Sequence, residues 1–191
     1  MKEDLIFIDT ETGGLDPDVH SLLQIGYVIE NPNWQTHRNE MVISKHNYTT
    51  TEQAMKINNL DLDFIREVGN TEDYAVREII NHIARTCTTK PVVIGHNVNF
   101  DIGFMKAIFK RTGYDYESTF NHRVVDTMSI LRALNHAGII PDTACNSAGA
   151  FKFFGIDNEN AHTALADAKA TRELYWRLIS ILGDLEVHHG V

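Results

Sequence analysis

The chain has 191 residues, 43% of them hydrophobic and 23% charged, with a formal net charge of −9. That is enough for one sizeable α/β domain with its own core. The acidic balance argues against a protein that grips long duplex nucleic acid through a basic face, but not against one that holds a strand end through metal ions.

The first strand is Leu5-Ile6-Phe7-Ile8, a continuous apolar run ended by polar residues and glycine, the pattern of a buried strand. It delivers Asp9 and Glu11, two residues apart and so on one side of an extended chain. Two carboxylates that close raise each other's pKa unless a cation sits between them. Hard divalent metals prefer such oxygen ligands. A polar strand end on the surface would show the same pair. After the Gly13-Gly14 turn, Leu22–Ile29 reads as a second strand and Glu40–Ser44 as a third, separated by the turn residues Asn31-Pro32-Asn33. Short connections between the three suggest an antiparallel meander.

Thr51–Asn58 and Leu60–Val68 read as short helices. Glu72–Thr86 follows Thr71 as a longer one, with Val76, Ile79, Ile80 and Ile83 on one stripe. Pro91–Gly95 is a fourth strand between helices, which suits a parallel crossover. Asn99–Arg111 is helical up to the stop at Gly113. Arg123–Asp126 is a short fifth strand. Helices over Met128–His136, Thr143–Phe154 and Thr163 to about Leu182 complete the chain. No repeat or linker is seen, so residues 1–191 read as one domain, with the last ~8 residues, His188-His189 among them, as a flexible tail. The expected architecture is α/β: a mixed five-stranded sheet, three antiparallel strands and then parallel additions, with helices on both faces.

Two further acids fall at element boundaries. Asp101 opens the helix after the fourth strand, at the sheet edge where α/β proteins place their sites. Dipole and capping preferences alone also favour an acid there. Asp167 lies between alanines near the start of the last helix, five residues after His162. Small residues beside an acid let that helix approach another element closely. Taken singly, Asp167 reads as a surface acid and His162 as a residue near a helix start. Taken together, four carboxylates and a histidine have the composition of a two-metal phosphoryl-transfer site.

Three stretches carry a resemblance. Phe7-Ile8-Asp9-Thr10-Glu11-Thr12-Gly13-Gly14-Leu15, Gly95-His96-Asn97-Val98-Asn99-Phe100-Asp101 and His162-Thr163-Ala164-Leu165-Ala166-Asp167 resemble the three motifs of the DEDDh exonucleases. That ribonuclease H-like family includes polymerase proofreading subunits, RNase T and oligoribonuclease. The resemblance implies 3′–5′ removal of nucleoside 5′-monophosphates from single-stranded DNA or RNA. It implies two Mg²⁺ or Mn²⁺ ions roughly 4 Å apart, held by Asp9, Glu11, Asp101 and Asp167, with His162 as general base. It also implies contacts to the terminal nucleotide from Thr10, Thr12, Gly13, Leu15 and Asn97, and a lining helix at Ala54–Asn59. Asp126 is read as structural, and Ile57 and Leu60 suit core packing equally well. The motif wording leans toward DNA. RNA trimming, and a non-catalytic module binding a strand end or a polymerase, are the alternatives. A DNA polymerase subunit is the protein partner in view; no membrane is. Cys87 and Cys145 form no zinc or disulfide pattern, which suits reduced thiols in the cytoplasm. No apolar leader and no run of about 18 apolar residues is found.

Overall fold

Strand β1 (Leu5–Thr12) forms the middle of the sheet because alternate residues bury on both of its faces. The computed structural model describes residues 3–45, 47–158 and 163–184. β1 pairs antiparallel with β2 (Leu22–Glu30), which pairs antiparallel with β3 (Thr36–Val42). On its other side β1 runs parallel to β4 (Val92–Gly95), and β4 parallel to β5 (Val124–Asp126). The order β3-β2-β1-β4-β5 is the mixed five-stranded sheet expected.

The helices are α1 (Glu52–Asn58), α2 (Leu62–Val68), α3 (Glu72–Thr86), α4 (Asn99–Thr112), α5 (Tyr116–Thr119), α6 (Thr127–His136), α7 (Ser147–Phe154) and α8 (Ala164–Asp184). Ile6 and Ile8 point from β1 into a core shared with α3 and α4. Leu5 and Phe7, on the opposite face, meet Leu165, Tyr175 and Trp176 of α8. Both faces are therefore covered. A third cluster, built from Leu131, Phe151 and Leu174 among others, joins α6, α7 and α8 beside the sheet.

The differences from expectation have local causes. β3 starts at Thr36 and ends at Val42, so it begins four residues before the Glu40 start that the apolar residues suggested. It is an edge strand whose first residues, Thr36 to Glu40, are polar and mostly exposed. β1 runs through the acids to Thr12, because the ladder with β2 continues to Leu22. α2 begins after Asp61, whose carboxylate accepts the Asp63 and Phe64 amides. α7 begins at Ser147, capped by Asn146 and preceded by a short 3₁₀ turn over Asp142–Ala144. α5, a single turn capped by Asp115, was not anticipated; four residues carry no periodicity.

Candidate active site

The odd-numbered residues of β1 form one row: Leu5 and Phe7 in the core, then Asp9 and Glu11 at the strand's carboxyl end. The row continues across β2, where Gly26 lies opposite Asp9 and Gln24 opposite Glu11. Gly26 sets how closely α8 can approach. A Cβ there would lie 2.1 Å from the backbone of Ala164 and Leu165, so only glycine lets the helix descend onto the sheet. The first free amides of α8 are met from β2 and β3. Gln24 Oε1 accepts the Ala164 amide at 3.1 Å and Glu40 Oε1 accepts the Leu165 amide at 2.9 Å. With Ala164 and Ala168 fully buried, the helix brings Asp167 down to the β1 acids.

The result is a cluster in which carboxylate oxygens of Asp9, Glu11 and Asp167 lie within 4.8 Å of one another. Asp101 reaches the same place from α4. It lines the same cleft of about 500 Å³, is 4% exposed, and accepts the Thr10 hydroxyl at 2.7 Å. Asn158 donates to Asp167 at 2.6 Å and fixes that carboxylate's orientation. All four acids predicted from sequence thus meet at one cleft, three in mutual contact range and Asp101 beside them. His162 lies outside the described residues.

The electrostatics follow from the crowding. Burial pushes the Glu11 carboxyl up to about 7, with Asp167, Asp101 and Glu40 adding repulsion. Burial likewise raises Asp101 to about 7, against the lowering effect of the Thr10 hydroxyl bond. Asp9 is raised well above the carboxylate range by burial and then by Asp101, Asp167 and Glu11. Such a group of acids is a poor place for bare charge and a good one for a hard cation. A divalent ion fits this donor set: carboxylate oxygens only, converging, with no lysine or arginine among the residues lining the cleft.

A second cavity of about 380 Å³ adjoins the first, sharing Thr10, Glu11, Ile57 and Phe100. Its walls are the β1–β2 loop and α1. The glycine turn holds α1 in place: Gly13 O accepts the Thr51 amide at 2.6 Å, and Asn58 donates to Thr12 O at 3.1 Å. Leu15 is 84% exposed and Ile57 56% exposed at this cavity, so Ile57 is a wall residue rather than core. Thr12 spends its hydroxyl on Gly14 O at 2.8 Å. Gly13 packs so closely that a Cβ would sit 2.4 Å from Thr49 O. Asn97 is exposed, has a left-handed φ of 60°, and lines neither cavity; its amide donates to Asp126 at 2.7 Å. Asp126 also accepts Met128 N and Ser129 Oγ, the structural role expected of it. Sequence reasoning left out His96, Phe100 and Asn158 as cleft residues. The first two stood in a quoted motif. Asn158 had no signal: it lies nine residues before Asp167, outside the quoted motifs.

Sheet order and helix placement are those of the ribonuclease H-like fold, with the carboxylate cluster at its strand ends. The chain belongs to the exonuclease family, whose model matches residues 6–175, and it is a 3′–5′ exonuclease. It is 25% identical over 185 residues to ribonuclease T of Blochmanniella pennsylvanica, covering 92% of this chain and 83% of that protein. It is 26% identical over 191 residues to the PolC-type DNA polymerase III of Oceanobacillus iheyensis, of which it spans 12%. Among solved structures it resembles E. coli exonuclease I in complex with a dT13 oligonucleotide, with a TM-score of 0.77 at 22% identity. That likeness covers 93% of this chain and 41% of exonuclease I, so the chain spans well under half of that enzyme.

Proposed function

We propose that residues 1–191 act as one exonuclease domain that cleaves the terminal phosphodiester at the 3′ end of single-stranded nucleic acid, releasing a nucleoside 5′-monophosphate. The observation that carries this reading is the convergence of Asp9, Glu11 and Asp167 within 4.8 Å. Asp9, Glu11, Asp101 and Asp167 would hold two Mg²⁺ or Mn²⁺ ions, which when bound offset the negative charge that builds on the phosphoryl oxygens.

The chain's own groups do the rest. His162 would take the proton of the attacking water, a role that suits a histidine, whose ordinary pKa is about 6.5. Thr10 keeps Asp101 turned toward the cleft, and Asn158 does the same for Asp167. Leu15, Ile57 and Phe100 offer apolar surface to the last base. Thr10, Thr12 and Gly14 line the cavities and bring their backbone close to the terminal nucleotide, while Asn97, which lines neither cavity, is left without a contact to it.

DNA is the substrate we favour on the wording of the first motif. The similarity to ribonuclease T over 92% of the chain supports RNA trimming as the second reading. The similarity to a PolC-type polymerase supports association with a DNA polymerase. Both cysteines are free thiols, which supports the cytoplasmic reading. Among the described residues no helix is long and apolar enough to cross a membrane. One experiment tests the proposal: 5′-labelled DNA and RNA oligonucleotides incubated with Mn²⁺ and either wild type or Asp9→Asn. A ladder of shortened products from wild type alone supports it; equal laddering by Asp9→Asn refutes it.

A further inference from the structure

The end of the sheet opposite the acids carries a second feature. Glu30 of β2 lies across from Leu5, six residues back along β1 from Glu11, or roughly 20 Å at about 3.3 Å per residue. There a cavity of about 320 Å³ is lined by Val28, Thr36, Arg38, Lys169 and Arg172. No lining residue is acidic. Arg172 pairs with the fully buried Glu30, while Arg38 and Lys169 make no ion pair among the described residues. Three cations and one carboxylate leave the pocket at +2 on a chain of net charge −9.

An aromatic surface stands beside it, on the turn joining β2 to β3. Trp34 is 57% exposed and adopts a left-handed φ of 63°, which bulky side chains rarely take. The turn is built to hold it. Asn31 Oδ1 accepts the Asn33 and Gln35 amides, and Asn31 O accepts the Trp34 amide at 2.9 Å. The indole rests on Trp176, ring centroids 5.0 Å apart, and Trp176 in turn on Tyr175 at 4.9 Å. Trp34 therefore presents a supported ring to solvent two residues from Thr36 and four from Arg38.

We propose that Trp34 with Arg38, Lys169 and Arg172 forms a second contact for single-stranded nucleic acid, holding the strand away from its 3′ end. Unpaired cations placed beside an exposed, supported aromatic ring are the chemistry that grips a single strand without reading its sequence: phosphates against the cations, a base against the ring. This rests on the exonuclease reading for its substrate. It adds a length dependence that the acid cleft alone does not supply.

The chain has two tryptophans, and both lie in this patch, so indole fluorescence reports it directly. Asp9→Asn protein, used to stop hydrolysis, would be titrated with 5-mer and 30-mer oligonucleotides, with inorganic phosphate in a parallel arm. The 30-mer should quench; Arg38→Gln/Lys169→Gln should weaken that binding roughly tenfold and reduce the log–log salt slope by about 1.4. In the Asp9-intact enzyme the same pair should raise KM for the 30-mer and leave the 5-mer KM and kcat unchanged. A 30-mer KM untouched by Arg38→Gln/Lys169→Gln overturns the proposal. So does quenching by phosphate alone at the affinity of the 30-mer, or a patch silent to oligonucleotide whose substitution only changes sedimentation, as a contact between copies would. Because 5-mer hydrolysis is measured alongside, loss of this proposal with cleavage intact leaves the exonuclease reading standing. Trp34→Leu, which spares both cations, provides an independent variant.

Discussion

Glu11→Gln should make the metal-free protein more stable, although it removes a residue we place in the active site. In the folded chain burial and the neighbouring acids raise this carboxyl from its ordinary 4.5 to about 7. Below pH 4.5 the group is protonated folded and unfolded, and contributes nothing. Between 4.5 and about 7 the unfolded chain gives up the proton first, so stability falls as pH rises and the full penalty is present above 7. At about 1.4 kcal/mol per pH unit that penalty is at most on the order of 3 kcal/mol. Glu11 keeps part of its surface in water, so screening leaves roughly 1–2 kcal/mol. For a chain of this size, that is a gain of roughly 2–8 °C in Tm for the glutamine variant. Thermal melts in EDTA at pH 4.5 and pH 8 make the comparison. The variant should melt higher at pH 8, with the gap closing at pH 4.5. Millimolar Mn²⁺ should then raise the wild-type Tm more than the variant's, since bound metal relieves the same repulsion. A variant that melts lower than wild type in EDTA at pH 8, or a gap that does not change with pH, would refute the account of the crowded acids.

Other substitutions test separate parts of the site. His162→Ala should lower kcat by about 10²–10⁴-fold while the Mn²⁺-induced rise in Tm persists, and wild-type kcat should climb with pH through about 6.5; single-turnover rates across pH 5.5–8 read both. Thr10→Val removes the 2.7 Å bond to buried Asp101, so kcat should fall about tenfold and stability by roughly 1–3 kcal/mol, read by kinetics and urea unfolding. Gly26→Ala should cost about 1–3 kcal/mol through overpacking against α8 and weaken Mn²⁺ binding, measured by calorimetry, without touching any acid. Leu15→Ala, at a side chain 84% exposed, should raise KM with Tm unchanged to within about 1 °C.

Where the residues themselves carried strong signals, the sequence and the structure agree. The apolar run of β1, the valines of β4 and Thr71 ahead of α3 placed their elements closely. The meander followed by parallel strands put Asp9 and Asp101 at one edge, because β1 and β4 run the same way. What sequence could not supply was contact between distant segments. Nothing in the Gln24-Ile25-Gly26 run foretold that a glycine opposite Asp9 would seat α8, or that Gln24 and Glu40 would cap it. The same holds for Thr10, which faces Asp101 across 91 residues. It also holds for Asn97, whose left-handed φ of 60° the sequence did not announce and which lines neither cavity.

The seating of α8 has a mechanical consequence. Main chain meets bare main chain at Gly26, which acts as a stop against compression, while the Gln24 and Glu40 caps act as ties against lift-off. Held in both directions, the distance between the strand acids and Asp167 is fixed during folding rather than when a cation arrives. Ion capture should therefore proceed in one kinetic step, with no slower rearrangement trailing it.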